Sequence, residues 1–114
     1  MQLRIRILCA NSRQTHVLLS GELDLETVSQ LNVVLDRIAQ TNTRELILDL
    51  SELSYLGSVG VGIIIRISDT LAETGRQLVL TGAQGPVKVV LQLLGLYYLV
   101  RQADAPHARN MTAT

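Results

Sequence analysis

Ser58 is the residue in this chain best placed for chemistry, standing in the run Gly57-Ser58-Val59-Gly60-Val61-Gly62. It follows Leu46-Ile47-Leu48-Asp49-Leu50, a short apolar stretch with the composition of a strand buried on both faces. Beyond it, apolar residues at 61, 64, 65, 71 and 72 fall at helical spacing. The pattern predicts a strand-to-helix loop over Ser54-Tyr55-Leu56-Gly57-Ser58 and puts Ser58 at the helix N-cap, where a serine hydroxyl satisfies the first free N–H groups. The same hydroxyl is a place for a phosphate. A phosphate there would sit on the positive end of the helix dipole, favoured by about 0.3–1 kcal/mol, while repelling a partner with an acidic or closely packed surface.

Other chemistries find less support. Ser58 has no histidine or lysine near it in sequence to act as a base. The hydrolase elbow G-x-S-x-G fails because Leu56 stands two residues before the serine. His16 and His107 are far apart in the chain and Cys9 is the only cysteine, so no zinc set is expected, nor any catalytic set or cofactor. The glycine run has the spacing G-x-x-G-x-G, which is not the dinucleotide fingerprint, and no Lys-Ser/Thr pair follows as in a P-loop. A nucleotide site on that loop is therefore a minor reading. The plainer one is that Gly60 and Gly62 let the first helical turn pack tightly on the sheet and leave Ser58 uncovered.

The elements that hold this loop read as follows. Residues 3 to 8 alternate Leu3, Ile5 and Ile7 with Arg4 and Arg6, as an edge strand with one wet face does. A polar turn at Asn11-Ser12-Arg13-Gln14 leads into a second strand over 15–20, antiparallel because the connection is short. Asp24 is a candidate N-cap for a helix with apolar positions at 28, 31, 35 and 38, ending near Thr41-Asn42-Thr43. Gly75 is placed to end the second helix as its C′ residue. A strand over 77–81 follows, then a third helix opened by Gly85-Pro86, with Val87, Val90, Leu91 and Leu94 on one face and Gly95 at its end. Tyr97-Tyr98-Leu99-Val100 reads as a last short strand. Tyr55 and Leu56 are apolar enough for either the core or an interface rim, with the core favoured, and Asp49 is assigned to support of the strand end. Residues 102–114 show no periodicity and read as a loose tail, with His107 solvated.

Alternating strands and helices in 114 residues predict a single α/β domain over 1–101: one mixed sheet with an antiparallel N-terminal hairpin and βαβ units, helices packed on it. With 47% hydrophobic residues and no Trp or Phe, the core must be Leu, Ile and Val. Ten basic and ten acidic side chains cancel, which argues against a nucleic-acid surface or an acidic-lipid anchor. The lone Cys9, the absence of a signal-like start and the lack of an apolar run long enough to span a bilayer lead us to expect a reduced, cytoplasmic protein.

Four segments resemble, in order and spacing, the STAS domain of bacterial anti-sigma factor antagonists. They are Gly21-Glu22-Leu23-Asp24, Leu48-Asp49-Leu50-Ser51, Ser58-x-Gly60-Val61-Gly62 and Val87-x-x-Val90-Leu91-x-x-x-Gly95-Leu96. The resemblance implies the STAS fold and partner switching: binding to an anti-sigma factor that is also a serine kinase, ended by phosphorylation of the serine matching Ser58. It further implies a serine phosphatase as a second partner, and a docking surface drawn from Asp24, Gly57, Ser58, Val59, Gly60 and Gly62. A homodimer is compatible with it. The chain departs from the family pattern in the loop, with Gly57 in place of an aspartate and Val59 in place of a second serine, and in the tail, which lacks the amphipathic final helix that many members carry. The missing carboxylate keeps open an alternative, an unphosphorylated STAS scaffold or subunit in a stress-signalling assembly or lipid-transport complex.

Overall fold

The computed structural model describes residues 2–100; the expected tail at 102–114, with His107, lies outside them. Four strands form one sheet in the order β1-β2-β3-β4: β1 (Leu3–Ala10), β2 (Gln14–Leu23), β3 (Glu45–Leu56) and β4 (Gln77–Thr81). β1 and β2 pair antiparallel, while β2–β3 and β3–β4 are parallel. The helices α1 (Val28–Ala39), α2 (Ser58–Ala72) and α3 (Gly85–Leu93) connect or follow the parallel strands. This is the mixed α/β architecture that the sequence predicts.

The core follows from strand alternation. Val17, Leu19, Leu46, Leu48, Leu50, Leu78 and Leu80 form one cluster with Leu31 and Leu35 of α1, Ile64, Ile67 and Leu71 of α2, and Val87 and Leu91 of α3. Leu18, Ile47 and Val79 alternate with these along the strands; they are buried but stand outside that cluster, on the opposite face. The helices thus cover one face of the sheet. Among the apolar positions expected to line the helices, Ile65, Ala72 and Leu94 are exposed, and Leu94 falls just beyond α3.

Helix ends are set by backbone chemistry. At the end of α2, Arg76 N–H donates to the Leu71 carbonyl (2.9 Å) and Gly75 N–H to that of Ala72 (3.1 Å), with Gly75 at φ +73°. This is a Schellman motif with Gly75 as its C′ residue, as expected. Gly95 repeats it after α3, through Leu96 N–H to Leu91 (2.8 Å) and its own N–H to Gln92 (3.2 Å). That turn drives Leu96 into the core, and the chain leaves as a 3₁₀ turn over Tyr97–Leu99 rather than the expected strand. A single parallel bridge between Leu80 and Val100 is what remains of strand pairing there.

The amino ends of β2, β3 and β4 are closed by side chains. Thr15 Oγ1 donates to Thr43 Oγ1 (3.0 Å), which donates to the Asn11 carbonyl (2.9 Å). The Arg76 guanidinium donates to the carbonyl of Ala39 (2.9 Å), an acceptor that the end of α1 leaves open, and to that of Thr41 (2.8 Å) in the turn that follows.

Candidate functional site

β3 is longer than its apolar run suggests. It continues through Ser51-Glu52-Leu53-Ser54-Tyr55 to Leu56, paired with β2 across two register shifts, so the expected five-residue loop shrinks to Gly57 alone. The two parallel strands end side by side: Leu23 pairs with Leu56, and Gly57 N–H donates to the Leu23 carbonyl (2.9 Å). Hence the β2–α1 connection, carrying Asp24, and the β3–α2 junction, carrying Ser58, open at the same end of the sheet.

Ser58 is not the N-cap. Gly57 holds that place in an extended conformation (φ −90°, ψ 173°), its carbonyl accepting from Val61 N–H (3.1 Å), and Ser58 is the first helical residue. The extended strand moves the helix start back by one position, and no side chain caps it. The Ser58 hydroxyl, released from capping, is exposed and has no hydrogen-bond partner among the described residues.

The glycines beside it divide by role. A Cβ on Gly60 would lie 2.7 Å from Leu23 Cδ2 and 3.0 Å from Leu56 Cδ1, so this buried glycine is the close-packing residue that the sequence suggests. Gly62 does not share that role, because it is exposed and a Cβ there would meet nothing within 4 Å. Gly57 lies under Tyr55: a Cβ would be 3.2 Å from ring atom Cε2 and 3.3 Å from Oη. Val59 is exposed.

Asp24 caps a turn rather than α1 itself. Its Oδ1 accepts from the N–H groups of Glu26 (2.9 Å) and Thr27 (3.1 Å), and Thr27 Oγ1 accepts from the Asp24 N–H (3.0 Å) while donating to the Glu22 carbonyl (2.8 Å). These reciprocal bonds resemble a capping box, fixing the connection one turn ahead of the helix, whose N-cap is Thr27. Asp49 is also structural, with Oδ1 accepting from Ser51 N–H (2.9 Å).

Two residues of this end are absent from the expected docking set. Leu25 follows the capped Asp24 and is 77% exposed; an apolar residue next to a turn-forming aspartate is the signal that could have marked it. Tyr55, favoured for the core from sequence, is 48% exposed. A register shift between Gly21 and Glu22 places Tyr55 opposite Glu22, so Leu53 and Leu56, three apart, both turn inward and Tyr55 turns out. The end of the sheet that carries the bare Ser58 hydroxyl therefore also presents Leu25, Tyr55 and Val59, along with Asp24. A hydroxyl in such apolar surroundings can accept a covalent group and lies where a protein partner could dry the surface, while no cluster of His, Cys, Asp and Glu suited to a metal occurs among the described residues.

Comparison with known proteins identifies the fold. The family model described as the STAS domain matches residues 10–108. The chain belongs to the STAS domain family. An anti-sigma-B factor antagonist of Staphylococcus aureus is 30% identical to this STAS domain over 80 residues, 70% of this chain and 74% of the relative. Among solved structures, the anti-sigma factor antagonist SpoIIAA in its unphosphorylated form superposes with a TM-score of 0.80 at 22% identity, covering 96% of each chain. The Bacillus cell fate determinant SpoIIAA in the phosphorylated form gives 0.72 at 21% identity, covering 96% of this chain and 99% of that one. At such identities the solved structures establish the shared fold. No helix among the described residues is long and apolar enough to cross a membrane.

Proposed function

We propose that this STAS domain is an anti-sigma factor antagonist, a cytoplasmic binding protein and not an enzyme, which docks an anti-sigma factor with serine kinase activity on the Ser58 end of its sheet. Phosphorylation of Ser58 ends the complex, and a serine phosphatase restores it. The observation that carries this reading is the Ser58 hydroxyl, exposed at the first helical position and used for nothing inside the fold. The names of its curated relative and structural neighbours support it, one of those neighbours having been solved phosphorylated.

The switch needs no specific acidic partner. A phosphoserine carries about −1.5 to −2 charges at pH 7, and beside Leu25, Tyr55 and Val59 it would have to be buried in a largely apolar contact. Desolvating an ion costs several kcal/mol, and a penalty of about 4 kcal/mol weakens binding roughly a thousandfold. On the free chain the same phosphate is tolerated, because it lies at the positive end of α2.

The test is capture from native lysate with mass spectrometry of Ser58, using wild type, Ser58→Ala and Ser58→Asp. Ser58→Ala should retain the anti-sigma factor, whereas Ser58→Asp should lose it by about a hundredfold or more, in line with a charge placed in an apolar contact. Equal capture by both variants would overturn the proposal. Gly57 favours a second reading, a STAS scaffold that is never phosphorylated, because the junction lacks the carboxylate of the family pattern. An unmodified Ser58 in a stable hetero-complex that tolerates Ser58→Asp would select it.

A further inference from the structure

The junction that presents Ser58 is held without a side-chain cap. Its backbone is tied at Gly57 alone, N–H to Leu23 and carbonyl to Val61. The side chain nearest to residue 57 is Tyr55, whose ring edge and Oη lie where a Cβ at that position would need 3.2–3.3 Å of clearance. The half-covered Tyr55 ring thus approaches the glycine of the one-residue junction with its edge. Tyr55 Oη has no hydrogen-bond partner among the described residues, so the contact is made by the ring and not by a polar tether.

We propose that Tyr55 is a positioning residue for Ser58, and that Gly57 is the residue that admits it. The ring holds the strand-to-helix turn in the one conformation that leaves the hydroxyl at the first helical position, facing out. A side chain at 57 would push the ring edge aside by a few tenths of an ångström and so weaken its hold on the turn. The inference rests on Ser58 being the phosphoacceptor, since that is what gives its placement a use.

The experiment uses the full chain as wild type, Tyr55→Ala, Tyr55→Phe, Gly57→Ala and the double variant Tyr55→Ala/Gly57→Ala. Amide hydrogen exchange at residues 57 and 61, whose N–H groups close the junction, should quicken about tenfold in Tyr55→Ala and in Gly57→Ala, with no further increase in the double variant, and stay at the wild-type rate in Tyr55→Phe. Core amides of β3 and the melting temperature should not move. With the serine kinase recovered alongside the wild-type chain, Tyr55→Ala should raise KM through the lost docking contact and also lower kcat for Ser58 labelling about tenfold, and Tyr55→Phe should restore both. Exchange at Gly57 and Val61 unchanged in Tyr55→Ala, or normal labelling of that variant, would overturn the role of Tyr55 and leave the phosphoacceptor reading intact. Failure of the wild-type chain to be labelled at all would overturn both.

Discussion

At the amino ends of the parallel strands, hydroxyls and a guanidinium are turned inward and spent: Thr15 on Thr43, Thr43 on the Asn11 carbonyl, Arg76 on the carbonyls of Ala39 and Thr41. At the carboxyl ends Asp24 and Thr27 are spent in the same way, but the β3–α2 junction beside them is not. Ser58 keeps its hydroxyl free, and Leu25, Tyr55 and Val59 stay exposed although each could have contributed to a core. Burying a polar group requires a partner for it, and leaving an apolar group in water forgoes stabilisation, so these exposed groups and the closed amino end have opposite energetic profiles. One end is built to stay closed, and the other keeps unsatisfied valences for something outside the chain.

The contrast can be broken from either end. Arg76→Ala should produce the largest loss of stability, about 2–3 kcal/mol, because charge-assisted bonds to two carbonyls, one at the end of α1 and one in the turn after it, disappear together. Urea unfolding should show a lower midpoint at unchanged slope. Arg76→Lys should recover little of it, since an ammonium cannot reproduce the fork that spans both carbonyls. Thr43→Val, at a position that is 1% exposed, removes the link between Thr15 and the Asn11 carbonyl and should cost about 1–2 kcal/mol in the same assay.

Ser58→Ala is the opposite case. A capping serine would cost about 1 kcal/mol on removal, but this one caps nothing, and the change should stay within about 0.5 kcal/mol. A clear destabilisation would mean that the hydroxyl is used internally and that the two ends are alike. Ser58→Asp should unfold no earlier than wild type, a carboxylate in the first turn of α2 being favoured by about 0.3–1 kcal/mol, even as it loses the partner.

The sequence carries the architecture well because that depends on patterns of period and punctuation. Leu46, Leu48 and Leu50 alternate into the core, Leu31, Leu35 and Ile38 line one face of α1, and Gly75 and Gly95 end their helices where glycine is needed for positive φ. Ser58 was also legible, through its place between strand and helix. What was not legible is the length of β3. Its last half reads as polar, and only pairing with β2, a contact between residues about thirty apart, keeps Ser51 to Leu56 extended. The register shifts in that pairing decide which way Tyr55 points, and no local period encodes them. The same extension moved Ser58 from cap to first helical residue.

The single-residue junction at Gly57 has a mechanical meaning. β3 passes into α2 with its linking amide and carbonyl both tied down, so there is no slack for an added group at Ser58 to pull a segment open or let one swing shut. Whatever tells a visitor that the domain has been modified must be written on the surface itself, in charge and wetness, as a signal that involves no moving part.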